Sequence, residues 1–251
     1  MAGGIPLLFN KADRELYRIS EDTIQSYYRD VAEAYGESHH VALPGAQRFL
    51  ADFESNLSKY ITSESQVLEI GAGTGFGTNI VSKHASPAVI DASLEMLAIN
   101  QKANPQLNMY ACPTENLPFA DNSFDVVIGN NTFYLVPDKQ QGAKEIARVL
   151  KPGGRLLLSE MNPHHPLWPM MFTIKRRFFE RTIYKCFPGQ MKKRFGKVGM
   201  QLEDVDYYSY TPYFAGEGLL KITGAFQKLF GGVKLIRRFT AIRIWYVLKK
   251  D

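Results

Sequence analysis

The run Val67-Leu68-Glu69-Ile70-Gly71-Ala72-Gly73-Thr74-Gly75-Phe76-Gly77 constrains this chain more than any other stretch. A short apolar segment, suited to a buried strand, passes straight into glycines at alternate positions. Glycine is required where backbone must approach a ligand closely or take φ values closed to other residues. A strand ending in such a loop belongs at the carboxyl edge of an open α/β sheet, where nucleotide-like ligands bind. The nicotinamide-dinucleotide pattern G-x-G-x-x-G would put its third glycine at position 76, which is Phe76, so a dehydrogenase reading loses its main support. Asp91 follows Gly71 by 20 residues, at the end of Ala88-Val89-Ile90-Asp91-Ala92-Ser93. A carboxylate there can accept hydrogen bonds from both hydroxyls of a ribose. Capping the next helix is the competing role for Asp91, and Ser93 can fill it equally well.

Around this loop, β-rich runs alternate with helix-period segments. Strands are predicted at 66–70, 87–91, 107–111, 124–130 and 154–160, with helices near 77–83, 94–103 and 139–150 between them. That alternation argues for a doubly wound α/β fold with helices on both faces of a mostly parallel sheet. Lys151-Pro152-Gly153-Gly154 is a breaker cluster that turns the chain into its next strand. Beyond Glu160 the reading continues with a strand at 204–210, a helix at 218–230 and a last strand at 239–248. Two helices, at 22–35 and 44–60, precede the first strand, the second with Ala46, Phe49, Leu50, Phe53 and Leu57 at helical spacing. The expected organisation is an N-terminal helical cap over 1–60 and one large domain over 61–251, with a basic and aromatic substrate-cap segment at about 162–235.

These features resemble the class I S-adenosylmethionine methyltransferases, in the branch that holds the ubiquinone/menaquinone C-methyltransferases and many small-molecule methyltransferases. Four pieces match in order over about 27–160: Tyr28 to Tyr35, the glycine loop with Asp91 to Leu97, Glu115 to Val127, and Leu150 to Gly154. The resemblance implies a Rossmann-like seven-stranded sheet with its last strand inserted antiparallel. S-adenosyl-L-methionine is then the cofactor and S-adenosyl-L-homocysteine the product. It also implies that the backbone of Gly71, Ala72, Gly73 and Gly75 holds the methionine amino group with Glu69 supporting the loop, and that Met96 and the Thr114-Glu115-Asn116 turn flank adenine. Asp91 and Ala92 fall at the ribose, and Asn130 borders the cofactor. The family often has an acidic residue before the Ala-Glu pair, whereas this chain has Pro113 there, which leaves adenine to backbone or to Thr114 and Glu115.

The acceptor must face the sulfonium methyl, so its residues are sought at the carboxyl ends of the fourth and fifth strands. Candidates to line it are Asn131 and Phe133, with Tyr27, Tyr28, Tyr35, His39 and Trp168 from the flanking segments. Tyr134, His164 and His165 are candidates for a general base, needed only if the nucleophile carries a proton of high pKa. His39-His40 and His164-His165 have no carboxylate or thiol at ligand spacing, so no metal is expected.

The net charge of +5 is concentrated: between Trp168 and Lys197 lie nine basic residues against the single acid Glu180. With its interleaved aromatic residues, this segment suits a membrane surface, a lipid-like or phosphorylated substrate, or nucleic acid, and a solvated helix face is the plain alternative. No RNA-binding module is legible, which counts against an RNA methyltransferase. A cofactor-binding partner protein without catalysis is the rival from another class. Cys112 and Cys186 are far apart and suggest neither disulfide nor zinc. With no signal-like start and no membrane-length apolar run, a cytoplasmic protein, in possible peripheral contact with a membrane through 168–197, is expected.

Overall fold

The computed structural model describes residues 4–10, 43–166, 186–212 and 215–251. The expected helix at 22–35, and with it Tyr27, Tyr28, Tyr35 and His39, lies outside the described residues, as do Trp168 and the basic residues of 175–185. The elements in chain order are α1 (Pro44–Leu57), β1 (Val67–Ile70), α2 (Thr78–Val81), β2 (Ala88–Asp91), α3 (Leu94–Ala103), β3 (Met109–Ala111), β4 (Phe124–Asn130), α4 (Lys139–Val149), β5 (Leu150–Met161), α5 (Pro188–Gly196), β6 (Met200–Tyr208), α6 (Glu217–Phe230), α7 (Lys234–Thr240) and β7 (Arg243–Lys250). A 3₁₀ turn, Phe133–Leu135, separates β4 from α4.

The seven strands form one sheet in the order β3-β2-β1-β4-β5-β7-β6. β1 pairs in parallel with both β2 and β4, so strand order reverses between β1 and β4 and opens a crevice at their carboxyl ends. β7 runs antiparallel between β5 and β6, as the resemblance implied. β1 is buried along its whole length, the pattern of a strand covered on both faces.

One face of the sheet presents Leu68, Ile70, Val127, Leu156, Leu158 and Tyr246 to α4 and α5. The other presents Val67, Val126, Ile128, Leu157, Trp245 and Val247 to α1 and α2. Proline in its first turn starts α1, and its stripe Ala46, Phe49, Phe53 and Leu57 is buried against that second face. Phe53 meets Trp245 edge-on at 5.7 Å between ring centroids. Residues 5–8 lie along the outer edge of β3, where Leu8 N–H donates to Ala111 O at 2.8 Å and Ala111 N–H to Pro6 O at 2.9 Å.

Boundaries shift where packing overrides local signals. Leu150 already pairs with Phe124, so β5 begins just before the expected breaker cluster and runs through it, and Gly153 accommodates it at φ +77°. β6 begins at Met200, four residues earlier than predicted. β7 begins at Arg243, because Lys234–Thr240 winds into a helix instead of extending.

Candidate active site

The glycine loop connects β1 to α2, and Gly71, Gly73 and Gly75 all hold positive φ, at +59°, +55° and +97°. Their surroundings differ. A Cβ on Gly71 would come within 1.7 Å of Thr132 Oγ1, one on Gly75 within 2.5 Å of Asn100 Oδ1, and one on Gly77 within 2.5 Å of Glu69 Oε1. Three of the four glycines are therefore needed to let protein side chains close on the loop. A Cβ on Gly73 would meet nothing within 4 Å, so this is the place where the loop borders open space. That cradle, with a ribose-suited carboxylate beside it, fits a nucleoside cofactor.

Asp91 ends β2 facing this loop. Its Oδ2 accepts from Gly73 N–H at 2.8 Å and its Oδ1 from Ser93 N–H at 2.7 Å. Ser93 caps α3, its Oγ accepting from Met96 N–H at 3.3 Å, so the capping role that competed for Asp91 is taken. A carboxylate has about four acceptor positions, and each oxygen of Asp91 keeps capacity for a hydroxyl. Burial raises the Asp91 pKa, while the N–H groups of Ser93, Gly73 and Ala92 lower it.

A buried polar chain props the loop from beneath. Asn104 Nδ2 donates to Asn100 Oδ1 at 3.0 Å, and Asn100 Nδ2 donates to Thr78 Oγ1 at 2.9 Å. Thr78 in turn hydrogen-bonds Glu69, whose pKa burial nevertheless pushes up to about 8. Glu115, assigned by resemblance to the adenine turn, points its Oε1 at Asp138 N–H, 3.0 Å away, at the start of α4. Thr114 is buried with it, Asn116 is half-buried, and Met96 is buried in the first turn of α3.

The side where the acceptor is expected begins where β4 ends. Glu160 Oε1 accepts from the N–H groups of Phe133 at 2.8 Å and Thr132 at 3.3 Å, fixing the turn that rests on Gly71. Burial raises Glu160 to about 7 against the pull of those amides and of Arg243 and Lys139. Phe133 is wholly buried, its ring 5.3 Å from that of Phe195, so its side chain supports the turn from the core. Tyr134 is half-buried on the same turn. The His164 ring stands edge-on to Phe187, Tyr207 and Phe239, at 5.1, 6.2 and 6.3 Å. Burial lowers the pKa of His164 and of His165. Among the described residues no group of three or more histidines, cysteines or acids could hold a metal.

One participant was not legible as a site residue. Arg243, the first residue of β7, is 1% exposed and donates to Asn130 Oδ1 at 2.7 Å and to Asn131 Oδ1. In sequence it is one cation in a β-rich run, and nothing local marks it as buried.

Glu69 and Glu160 make stability depend on pH. Each has one oxygen, Oε2, with no hydrogen-bond partner among the described residues. Because their folded pKa values, about 8 and about 7, lie above the unfolded 4.5, the folded chain binds more protons across that interval. Stability is then full below about pH 4.5 for these groups and is lost as pH rises toward 8. The cofactor-free protein should therefore lose a few kcal/mol between about pH 5 and 8, and Glu69→Gln should remove much of that slope. Calorimetric melting of both proteins across the range checks this; equal slopes would contradict it.

Comparisons with known proteins agree with this geometry. A family model described as a methyltransferase domain matches residues 68–158, from β1 into β5. A demethylmenaquinone methyltransferase of Chlorobaculum parvum is 31% identical over 199 residues, covering 77% of this chain and 77% of that protein. Another, of Paenarthrobacter aurescens, is 31% identical over 158 residues, 61% of this chain and 60% of its own length. In fold, the chain resembles phosphoethanolamine N-methyltransferase 2 of Haemonchus contortus, solved with phosphomonomethylethanolamine and S-adenosylhomocysteine. The TM-score is 0.63 at 16% identity, over 92% of this chain and 59% of that one. A sheet with the reversal at β1/β4, a glycine loop open at Gly73, Asp91 beside it and a match running through most of the chain lead to one conclusion: the chain belongs to the class I S-adenosylmethionine-dependent methyltransferases.

Proposed function

We propose that the chain methylates a small, lipophilic, quinone-like acceptor in its reduced form. The observation that carries this is the 199-residue match to a demethylmenaquinone methyltransferase, which spans 77% of this chain and 77% of that protein. When bound, the cofactor supplies an electrophilic methyl on a sulfonium, so the acceptor's electron pair forms the new bond as the methyl–sulfur bond breaks and the acceptor loses a proton. The chain's own share is alignment and exclusion of water. Asp91 and the loop backbone at Gly73 hold the nucleoside, and Thr114, Glu115, Asn116 and Met96 enclose its base. The turn from Asn130 to Leu135, whose Thr132 lies against Gly71, would form a wall of the site. Tyr134, His164 and His165 are the candidates to take the proton, burial lowering the pKa of both histidines. Tyr27, Tyr28, Tyr35, His39 and Trp168 would close the site from the N-terminal cap and the segment after β5.

Contact with an anionic membrane surface, in the cytoplasm, is part of this reading. The described half of the basic segment, α5, turns Met191 and Phe195 into the core and leaves Lys192 and Lys193 exposed. A freer apolar face lies on α6 and α7, where Leu219, Ile222, Leu229, Leu235 and Phe239 are exposed beside Lys221, Lys228, Lys234 and Arg238. No described helix is long and apolar enough to cross a membrane. Each basic residue near acidic lipid contributes ~1 kcal/mol, screened by salt. Sedimentation with phosphatidylserine vesicles should fall at high salt, and Ile222→Glu with Leu229→Glu should abolish it without altering cofactor affinity.

Turnover on a demethylated naphthoquinol, compared with phosphoethanolamine and RNA oligonucleotides, tests the acceptor class. The quinol alone should be methylated. Turnover on RNA or the phosphate ester in its place would overturn the reading.

A further inference from the structure

A guanidinium has N–H donors and no acceptor, so it dictates how a neighbouring amide faces. Arg243 Nη2 donates to Asn130 Oδ1 at 2.7 Å and to Ser159 Oγ at 3.4 Å, and Nη1 donates to Asn131 Oδ1 and to Met161 Sδ at 3.1 Å. Both asparagines must turn their oxygens inward, which leaves both NH₂ groups directed away from the cation. Asn130 Oδ1 is pinned a second time by Ser159 Oγ at 3.0 Å, itself 2.6 Å from Tyr208 Oη. Neither amide nitrogen has a hydrogen-bond partner among the described residues. Asn131 also holds φ +56°, its N–H donating to Ser159 O at 2.8 Å, so its backbone is as fixed as its side chain. The guanidinium is closed off from behind by the Phe49 ring, 4.6 Å from its centroid. The pair sits at the carboxyl ends of β4 and β5, and the next residue, Thr132, touches the glycine loop at Gly71.

We propose that Arg243 is a positioning residue that sets the Asn130 and Asn131 amides as two N–H donors toward the acceptor, selecting one whose reacting carbon lies beside a carbonyl or phenolate oxygen. The inference rests on the quinone-like reading of the acceptor. A buried cation behind two donors polarises them, and donors aimed at a phenolate favour the ionised form. The phenolate's electron pair makes the adjacent ring carbon nucleophilic. That carbon forms the bond to methyl as the methyl–sulfur bond breaks, and its ring hydrogen then leaves as a proton.

Asn131→Asp and Asn130→Asp test the donors, because aspartate is isosteric, tolerates positive φ and pairs with Arg243, but presents oxygen where the amide presents N–H. Each should lower kcat/KM for 1,4-naphthoquinol by about tenfold or more, on the scale of one lost preorganised donor. Cofactor Kd of Asn131→Asp should stay within about twofold, and the melting temperature of neither variant should fall. Arg243→Met should show the same loss, and Arg243→Lys, which keeps charge without the fork, should recover only part of it. Independently of turnover, side-chain amide signals of Asn130 and Asn131 in asparagine-labelled protein should shift when 1,4-naphthoquinone is added to the S-adenosylhomocysteine complex, and not in Arg243→Met. Unmoved amide signals in the parent, or aspartate variants within about twofold of it, overturn the proposal. A parent that never methylates the quinol while its amides respond to the probe refutes the acceptor reading and leaves the donor assignment standing. Turnover with unmoved amides does the reverse.

Discussion

Asp91→Ala is expected to weaken S-adenosylmethionine binding by ~2–3 kcal/mol, roughly 30- to 150-fold. Two effects combine. The ribose loses acceptors on a charged group, and the Gly73 and Ser93 N–H groups lose the carboxylate that holds them at 2.8 and 2.7 Å. Asp91→Asn keeps one acceptor oxygen and should fall between Ala and the parent. Isothermal calorimetry gives the three affinities; an Ala variant that binds like the parent would remove Asp91 from the cofactor site.

Gly71→Ala and Gly73→Ala should fail in opposite ways. At Gly71 the new methyl would lie 1.7 Å from Thr132 Oγ1 and 2.4 Å from Thr132 Cβ, on a backbone at φ +59°. The turn after β4 cannot withdraw, because its Thr132 and Phe133 N–H groups are held by Glu160. Overpacking and backbone strain together should cost about 3 kcal/mol of stability or more. At Gly73 nothing lies within 4 Å, so only the left-handed φ is penalised, by ~1–2 kcal/mol. The methyl there would enter the open space proposed for the cofactor, and cofactor affinity should drop well beyond the stability loss. Urea unfolding and calorimetry on both variants separate the two outcomes, and a stable Gly71→Ala or a tightly binding Gly73→Ala would contradict this account of the loop.

The difference between these glycines marks how far the sequence could be read. Alternate glycines after an apolar run announce a loop that must be glycine, and the strand–helix alternation that frames it is equally local. Which glycine faces open space and which meets Thr132 or Asn100 depends on residues that only the fold brings near. Asp91 was legible because its distance from Gly71 is set by one βαβ unit. Arg243 was not, since its partner Asn130 lies 113 residues away and a cation in a strand ordinarily reads as solvated. The start of β7 was misplaced for a related reason: Phe239 and Thr240 fit the strand run locally, but they form the end of α7. The left-handed Asn131 left no trace in the sequence either, because asparagine takes that conformation without a glycine to signal it.

The most direct measurement is the product itself. The protein, incubated with deuteriomethyl S-adenosylmethionine and a demethylated naphthoquinol, should give S-adenosylhomocysteine and a quinol carrying one trideuteriomethyl group in place of a ring hydrogen, by mass spectrometry and carbon NMR. Deuteriomethyl on no quinol, with the cofactor bound and intact, would contradict the claim that this site carries out methyl transfer to such an acceptor.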